Sequence, residues 1–428
     1  GGVTVRVNVV DANAAPLFGA QVRLVNNTTT TTIDVIKNTD TNGTALFSGA
    51  PAASNYEVYV TAAGYSSDQT YIASVANPNP VTSPFSLLVA DISTVTFQIG
   101  ELSDMYINTY SSVTDTGSME YFTDSSGLAT STDIEVASGA LRLEQTSGTY
   151  ANSGQAKLVT VTPSPLEAWG ALTVAANTPA STQYSIQLFT LSSSTYTLIP
   201  DSDLAGNSAG LSGPLIDVSS LDTGTYPSVV IGLSLQTTDT SASPSIDELG
   251  LYYREVSVPR TGVDLSLHGD KLIGTDLSAN PIYKTLLSGT TNGSGELNFT
   301  DVEFDSYSFT TPSSLEVTTA CPALPLLHQA GITSSLDIIL GASVSESLRT
   351  TVLSTDGRPI PGVVVTLSRS GFSDTEETNL CGQTFIYSGV VPESDYDVSA
   401  SKPGYVTQNI STFSVIGNTE NVITLSPQ

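Results

Sequence analysis

Two stretches near opposite ends of the 428-residue chain carry the same punctuation. Asp11 to Val22 reads D-A-N-A-A-P-L-F-G-A-Q-V, and Ser354 to Val365 reads S-T-D-G-R-P-I-P-G-V-V-V. Pro16 aligns with Pro359 and Gly19 with Gly362. Further on, Gly43 aligns with Gly382, Tyr56 with Tyr396, and Gly64-Tyr65 with Gly404-Tyr405. A repeat constrains architecture more than any single motif, because each copy must be a supersecondary unit of the same kind. The residues between the punctuation marks say which kind. Val3, Val5, Val7 and Val9 alternate with Thr4, Arg6 and Asn8, the period of a half-buried strand. Pro16 fixes φ in the turn that follows, and Thr39-Asp40-Thr41-Asn42-Gly43 marks a second turn before Ala45 and Phe47. Each copy therefore reads as a small β-sandwich, over residues 1–93 and 345–428.

Residues 260–344 read as a diverged third copy. Val263, Leu265 and Leu267 open it, and Thr291-Asn292-Gly293-Ser294-Gly295 supplies the turn before Leu297 and Phe299. Residues 100–258 differ. They hold few charges and long alternating runs, such as Tyr184 to Phe189 and Tyr226 to Leu235, as in a sandwich or jelly roll. The expected fold class is all-β: tandem β-sandwich domains with one jelly-roll domain.

Composition limits the partners. Lys and Arg number 13 against 41 Asp and Glu, a formal charge of −28. A phosphate backbone or an anionic lipid surface needs a basic face, so nucleic acid and acidic membranes are excluded as partners. No apolar run reaches the length of a membrane-spanning helix, so direct membrane insertion is not expected. The chain begins Gly1-Gly2, and a leader or anchor is expected to be already absent. The sequons at Asn26, Asn27, Asn42, Asn292, Asn298 and Asn409 are candidate glycosylation sites. Acidity, scarce Cys and abundant Thr and Ser point to a secreted or cell-surface protein.

The repeated pattern resembles carboxypeptidase-regulatory-like and Cna-B-type domains. These share an opening strand, a D-x-x-G-x-P-L-x-G-A-x-V turn, a T-D-x-x-G-x-F hairpin and a Y-x-V-x-x-x-x-x-G-Y close. The resemblance implies transthyretin-like sandwiches used as rigid spacers. Some members carry a Lys–Asn isopeptide bond, but Thr4 to Val10 and Leu348 to Leu353 contain no lysine to form one. The middle region resembles galactose-binding-like, discoidin-type jelly rolls, in the order Tyr-x-Ile-x-Leu-Phe, Leu-Ile-Asp-Val-Ser-Ser-Leu, then Tyr-Pro-Ser-Val-Val-Ile-Gly-Leu.

Several motifs suggest chemistry. Gly206-Asn207-Ser208-Ala209-Gly210 matches G-x-S-x-G, but its flanks read as loop, whereas a nucleophile elbow needs a strand before it and a helix after it. Asp115-Thr116-Gly117 and Asp222-Thr223-Gly224 match an aspartic-protease triplet without a lobe repeat, and Asp-Thr-Gly is also a good turn. No enzyme activity is expected. Two histidines and two cysteines make a poor zinc set. No cofactor is expected except calcium, which carboxylates alone can hold, with Asp239, Asp247 and Glu248 as candidates and Asp104 and Asp115 as others. Trp169, the single tryptophan, reads as core or core edge. Cys321 and Cys381 are expected to form one disulfide. Val3, Val5, Val7 and Val9, at the start of the chain, are a candidate donor strand for a neighbouring copy. The functional expectation is an extracellular structural or adhesive subunit of a microbial appendage, filament or stalk. Its partners would be copies of itself or other surface subunits. The alternative is a carbohydrate-binding surface protein acting on glycans through the jelly roll.

Overall fold

A computed structural model describes residues 3–28, 32–88 and 92–428; Gly1-Gly2, and Thr29 of the Asn27 sequon, lie outside them. Every regular element among the described residues is a strand. The chain divides into two compact units. The first holds Gly1–Thr109, Arg260–Ser313 and Cys321–Ile338, and the second holds Tyr110–Pro259, Ser314–Ala320 and Ile339–Gln428.

In the first unit, the N-terminal module is a two-sheet sandwich. Val3, Val5, Val7 and Val9 are fully buried, as the period-2 alternation requires of an inward face. Their strand, Val3–Val10, is the centre of a three-stranded sheet. It pairs antiparallel with Thr44–Ala50 and parallel with Ile92–Gln98. The facing sheet runs in the order Ile33–Asn38, Gln21–Asn26, Glu57–Thr61, Asp68–Gln69. The turn signals act as read. Asp11 Oδ1 accepts from the Asn13 and Ala15 amides, and Asp40 Oδ1 from those of Asn42 and Thr44. Gly43 has φ 68°, and a Cβ there would lie 2.5 Å from the Val9 carbonyl oxygen. Only glycine fits both the conformation and the space.

The C-terminal module, in the second unit, repeats this plan strand for strand. Ser347–Ser354 lies between Gln383–Ile386, antiparallel, and Asn418–Leu425, parallel. The facing sheet is Phe372–Glu377, Val364–Arg369, Glu393–Ser401, Gln408–Val415. Small details recur as well. Tyr56 Oη donates to the carbonyl oxygen five residues back, at Pro51, and Tyr396 Oη does so at Val391. Thr39 Oγ1 accepts from the Ala20 amide and donates to the Leu17 carbonyl; Thr378 does the same with Val363 and Ile360.

The third copy corrects the sequence reading. Val263, Leu265 and Leu267 do not open it; they belong to its second strand, Asp264–Gly269, or immediately precede it. The opening strand is residues 103–109, the first part of the long strand Ser103–Glu120. There Met105 and Ile107 are fully buried, like Val5 and Val7. This strand pairs with Glu296–Val302 and borders Ser334–Ala342, while Leu286–Thr290, Asp264–Gly269, Asp305–Thr310 and Leu326–His328 form the second sheet. The equivalences hold atom for atom. The Val9 amide donates to the Gly43 carbonyl, and the Leu17 amide to the Val9 carbonyl. In the third copy the Thr109 amide donates to Gly295 and the Arg260 amide to Thr109, both at 2.8 Å. Where the first copy has the short Pro-containing turn at residues 10–16, the third has residues 110–259. A whole domain is inserted in its first turn. Surface turns are where insertions are tolerated best, since few contacts must be broken to admit one.

That inserted domain, in the second unit, is a sandwich around the largest core cluster. Phe122, Leu141, Trp169, Leu172, Ile186, Leu188, Leu233 and Leu251 are among its buried residues. One sheet orders Leu128–Thr132, Ser153–Leu158, Val230–Thr237, Thr182–Ser192, Thr195–Leu198. The other is built on Ser245–Pro259 and Ala168–Asn177. Trp169 is only 2% exposed; its Nε1 donates to the Tyr226 carbonyl at 2.8 Å and its ring meets Tyr253 edge-on. A buried indole needs such a partner. Entry and exit run side by side, with Tyr110 opposite Pro259 and Ser112 opposite Val258.

Candidate functional sites

The second unit carries the most unusual ionisable group. Lys402 lies in the Lys-Pro-Gly-Tyr turn of the C-terminal module and is 4% exposed. Its Nζ donates to Tyr252 Oη at 2.8 Å and to the Gly362 carbonyl at 3.3 Å. Tyr252 projects from the inserted domain's Ser245–Pro259 strand. Its hydroxyl lies so close to Gly362 that any Cβ there would overlap it. Burial pulls the Lys402 pKa down from 10.5 to about 8, against the attraction of Glu248 and Glu377. Burial raises Glu248 and drives Tyr252 well above the ordinary phenol range. Around this contact Asp115 accepts from Arg254 Nε and from the Leu380 amide, both at 3.0 Å, and Arg358 Nη1 donates to the Leu215 carbonyl. Leu215 of the inserted domain also belongs to the C-terminal module's core cluster. The inserted domain is thus docked on the C-terminal module by an apolar plug, the Leu380 amide on Asp115 and a buried amine.

The first unit has an ionic counterpart. Glu303 Oε1 accepts from Lys271 at 2.9 Å and Lys284 at 2.8 Å, and Lys284 also lies 4.0 Å from Asp68 of the N-terminal module. Burial lowers Lys271 and raises Asp68. Nearby, residues 79–80 pair with Leu272–Thr275, so the N-terminal module and the third copy share a small sheet. None of Lys402, Tyr252, Glu303 or Lys284 stood out in the sequence. Each lies in a stretch that reads as surface strand or turn, and only tertiary packing buries it.

The sites expected from sequence fare differently. Cys321 and Cys381, the only two cysteines, are both disulfide-bonded. The calcium candidates Asp239, Asp247 and Glu248 do not converge. Glu248 is buried near Lys402, and Asp247, its neighbour on the same strand, points to the opposite face. Asp239 Oδ1 closes a turn on Ser241. Asp104 accepts from Tyr106, and Asp115 is neutralised by Arg254. Among the described residues no three acidic, His or Cys side chains converge. The donor strand is corrected. Val3–Val10 is already paired on both edges, and its four valines are the core of their own module. Ser208 donates to Asp201 and its amide does likewise, closing a surface loop, while Asp222 Oδ1 caps Thr225. Asn27, Asn42, Asn292, Asn298 and Asn409 are exposed; Asn26 is fully buried, with Nδ2 donating to Ser54.

No family model and no curated protein matches the chain. Among solved structures it is similar to BcpA, the major pilin subunit of Bacillus cereus, at 10% identity over 99% of each chain and a TM-score of 0.17. It is similar to the full-length major pilin SpaD from Corynebacterium diphtheriae at 11% identity, over 99% of this chain and 97% of that one, with a TM-score of 0.16. Similarity to the Bacillus anthracis TIE protein has 8% identity and a TM-score of 0.19; the match covers 99% of this chain but spans half the length of that one.

Proposed function

We propose that the chain is a structural or adhesive subunit of an extracellular appendage, filament or stalk, with other copies or other surface subunits as partners. The observation that carries this reading is the threefold use of one seven-strand sandwich plan, in the N-terminal, third and C-terminal modules. Repetition of a rigid module lengthens a molecule without adding chemistry. The residues that could have suggested hydrolysis, Ser208, Asp115 and Asp222, are instead spent on turns and an ion pair. The disulfide fits an oxidising, extracellular compartment. Electron microscopy of the native material tests the reading. Filaments or stalks containing the chain are expected, and a freely diffusing monomer at every concentration overturns it.

One observation favours a second reading, glycan binding by the inserted domain. A cavity of about 340 Å³ at the end of its five-stranded sheet is lined by uncharged amides and hydroxyls, including Asn152, Ser153, Thr182, Gln183, Gln236 and Thr237. In so acidic a chain, a wall of this kind suits a neutral polyhydroxylated ligand. Calorimetry against neutral oligosaccharides, with Gln183→Ala as control, decides between the two.

A further inference from the structure

We infer that the inserted domain lies outside the load path of the chain, held there by a backbone clasp at Thr109 and Arg260 in the first turn of the third module. This inference rests on the stalk reading for its purpose but not for its mechanics. Along the backbone, tension can reach residues 110–259 only through residues 109 and 260. Those two residues are joined directly. The Arg260 amide donates to the Thr109 carbonyl at 2.8 Å, and Thr109 Oγ1 donates to the Arg260 carbonyl at 2.6 Å and to Gly295 at 3.0 Å. Thr291 Oγ1 adds a third contact to Arg260, and Gly295 presses against both residues with no room for a side chain. Thr109 is fully buried, so water does not compete for these bonds. While the third module is folded, the two ends of residues 110–259 are therefore held together by the module's own hydrogen bonds, and backbone tension does not pull them apart.

The geometry beyond the clasp makes it decisive. The entry and exit strands of the inserted domain pair antiparallel from their first residues, Tyr110 with Pro259. Pulling their adjacent ends apart would open that ladder one pair at a time, the weakest direction for a sheet. The N-terminal module is loaded the opposite way. Its first and last strands are parallel, with Thr4 opposite Ile92 and Val10 opposite Gln98. Tension enters at the Val3 end and leaves at the Gln98 end, so the whole ladder is sheared together. The domain whose adjacent ends would unzip under tension is thus spliced where those ends are clasped together. A folded binding surface can be carried on a loaded chain in this way.

Single-molecule force spectroscopy on the full disulfide-bonded chain, with handles at both termini, reads the order directly. At about 3.5 Å per residue, the inserted domain releases roughly 50 nm and the third module roughly 24 nm up to Cys321, so their steps are distinguishable. The 50-nm step is expected only after or together with the third-module step. In Thr109→Val, which keeps the side-chain shape and removes both hydroxyl bonds, the combined event moves to lower force. A 50-nm step that regularly precedes loss of the third module overturns the inference. Absence of filaments by microscopy would overturn the stalk reading and leave this order untouched.

Discussion

Replacing Lys402 with methionine tests whether the docking of the inserted domain on the C-terminal module works against a buried charge. The folded-state pKa of about 8 against 10.5 in the free side chain corresponds to about 3 kcal/mol of unfavourable charge burial at neutral pH, at about 1.4 kcal/mol per pH unit. Between those values the unfolded chain binds the proton and the folded chain does not, so stability rises with pH. The gain is complete above pH 10.5 and is lost as pH falls through 8. Met fills the same channel without charge, but forfeits the bonds to Tyr252 Oη and the Gly362 carbonyl, each contributing about 1 kcal/mol. Lys402→Met should therefore be about 1 kcal/mol more stable than the parent at pH 7, and less stable than it by pH 9.5. Urea unfolding of both proteins at half-unit steps from pH 7 to 9.5 measures the crossing. Above pH 10 the comparison is confounded, because buried Tyr252 and Tyr405 keep protons that the unfolded chain loses. A difference between the two proteins that stays flat from pH 7 to 9.5 refutes the reasoning, whatever its sign.

Other outcomes follow from the same packing. Gly362→Ala should cost at least about 2 kcal/mol, since it adds a clash with Tyr252 to the left-handed φ of 66°, whereas Gly19→Ala, at φ 79° with open space, should cost about 1 kcal/mol; equal losses in thermal melts would contradict this. Glu303→Gln keeps the shape but leaves Lys271 and Lys284 without their shared carboxylate, and a loss of about 3–5 kcal/mol is expected by denaturant titration. Cys321→Ser with Cys381→Ser should lower stability by about 4 kcal/mol in the chain-entropy model, measured against the oxidised parent. A variant melting within a degree of the parent would rule that contribution out.

The terminal modules were legible because their turns need particular residues. Gly43 and Gly382 stand where a carbonyl leaves no room for a Cβ, and Thr39 and Thr378 each satisfy two buried backbone groups. The same Thr and Gly, at 291 and 295, revealed the third copy. Its opening strand was missed because the Pro-containing turn that announces the others is absent, replaced by residues 110–259. The signal was present: Met105, Ile107 and Thr109 alternate as Val5, Val7 and Val9 do, and both runs precede the same clasp. The calcium candidates Asp239 and Asp247 lie apart for a different reason. In a chain of strands and tight turns, aspartates such as Asp11, Asp40 and Asp239 serve the backbone amides beside them.

Splicing a domain into the first turn also sets a timetable for biogenesis. Residues 103–109 leave the ribosome well before any of their partners in the third module, and at about 5–20 residues per second the delay to Arg260 is roughly 8–30 s. Throughout that interval Met105 and Ile107 have no sheet to enter. Completion of the inserted domain ends the wait, because it sets Tyr110 beside Pro259 and turns a long closure into a short one. Relative to an unstructured segment of that length, this lowers the entropy cost by about 3 kcal/mol. Maturation of the third module is therefore conditional on its guest, and a lesion confined to Trp169 or Leu188 should surface as a nascent chain that stays protease-sensitive around Met105.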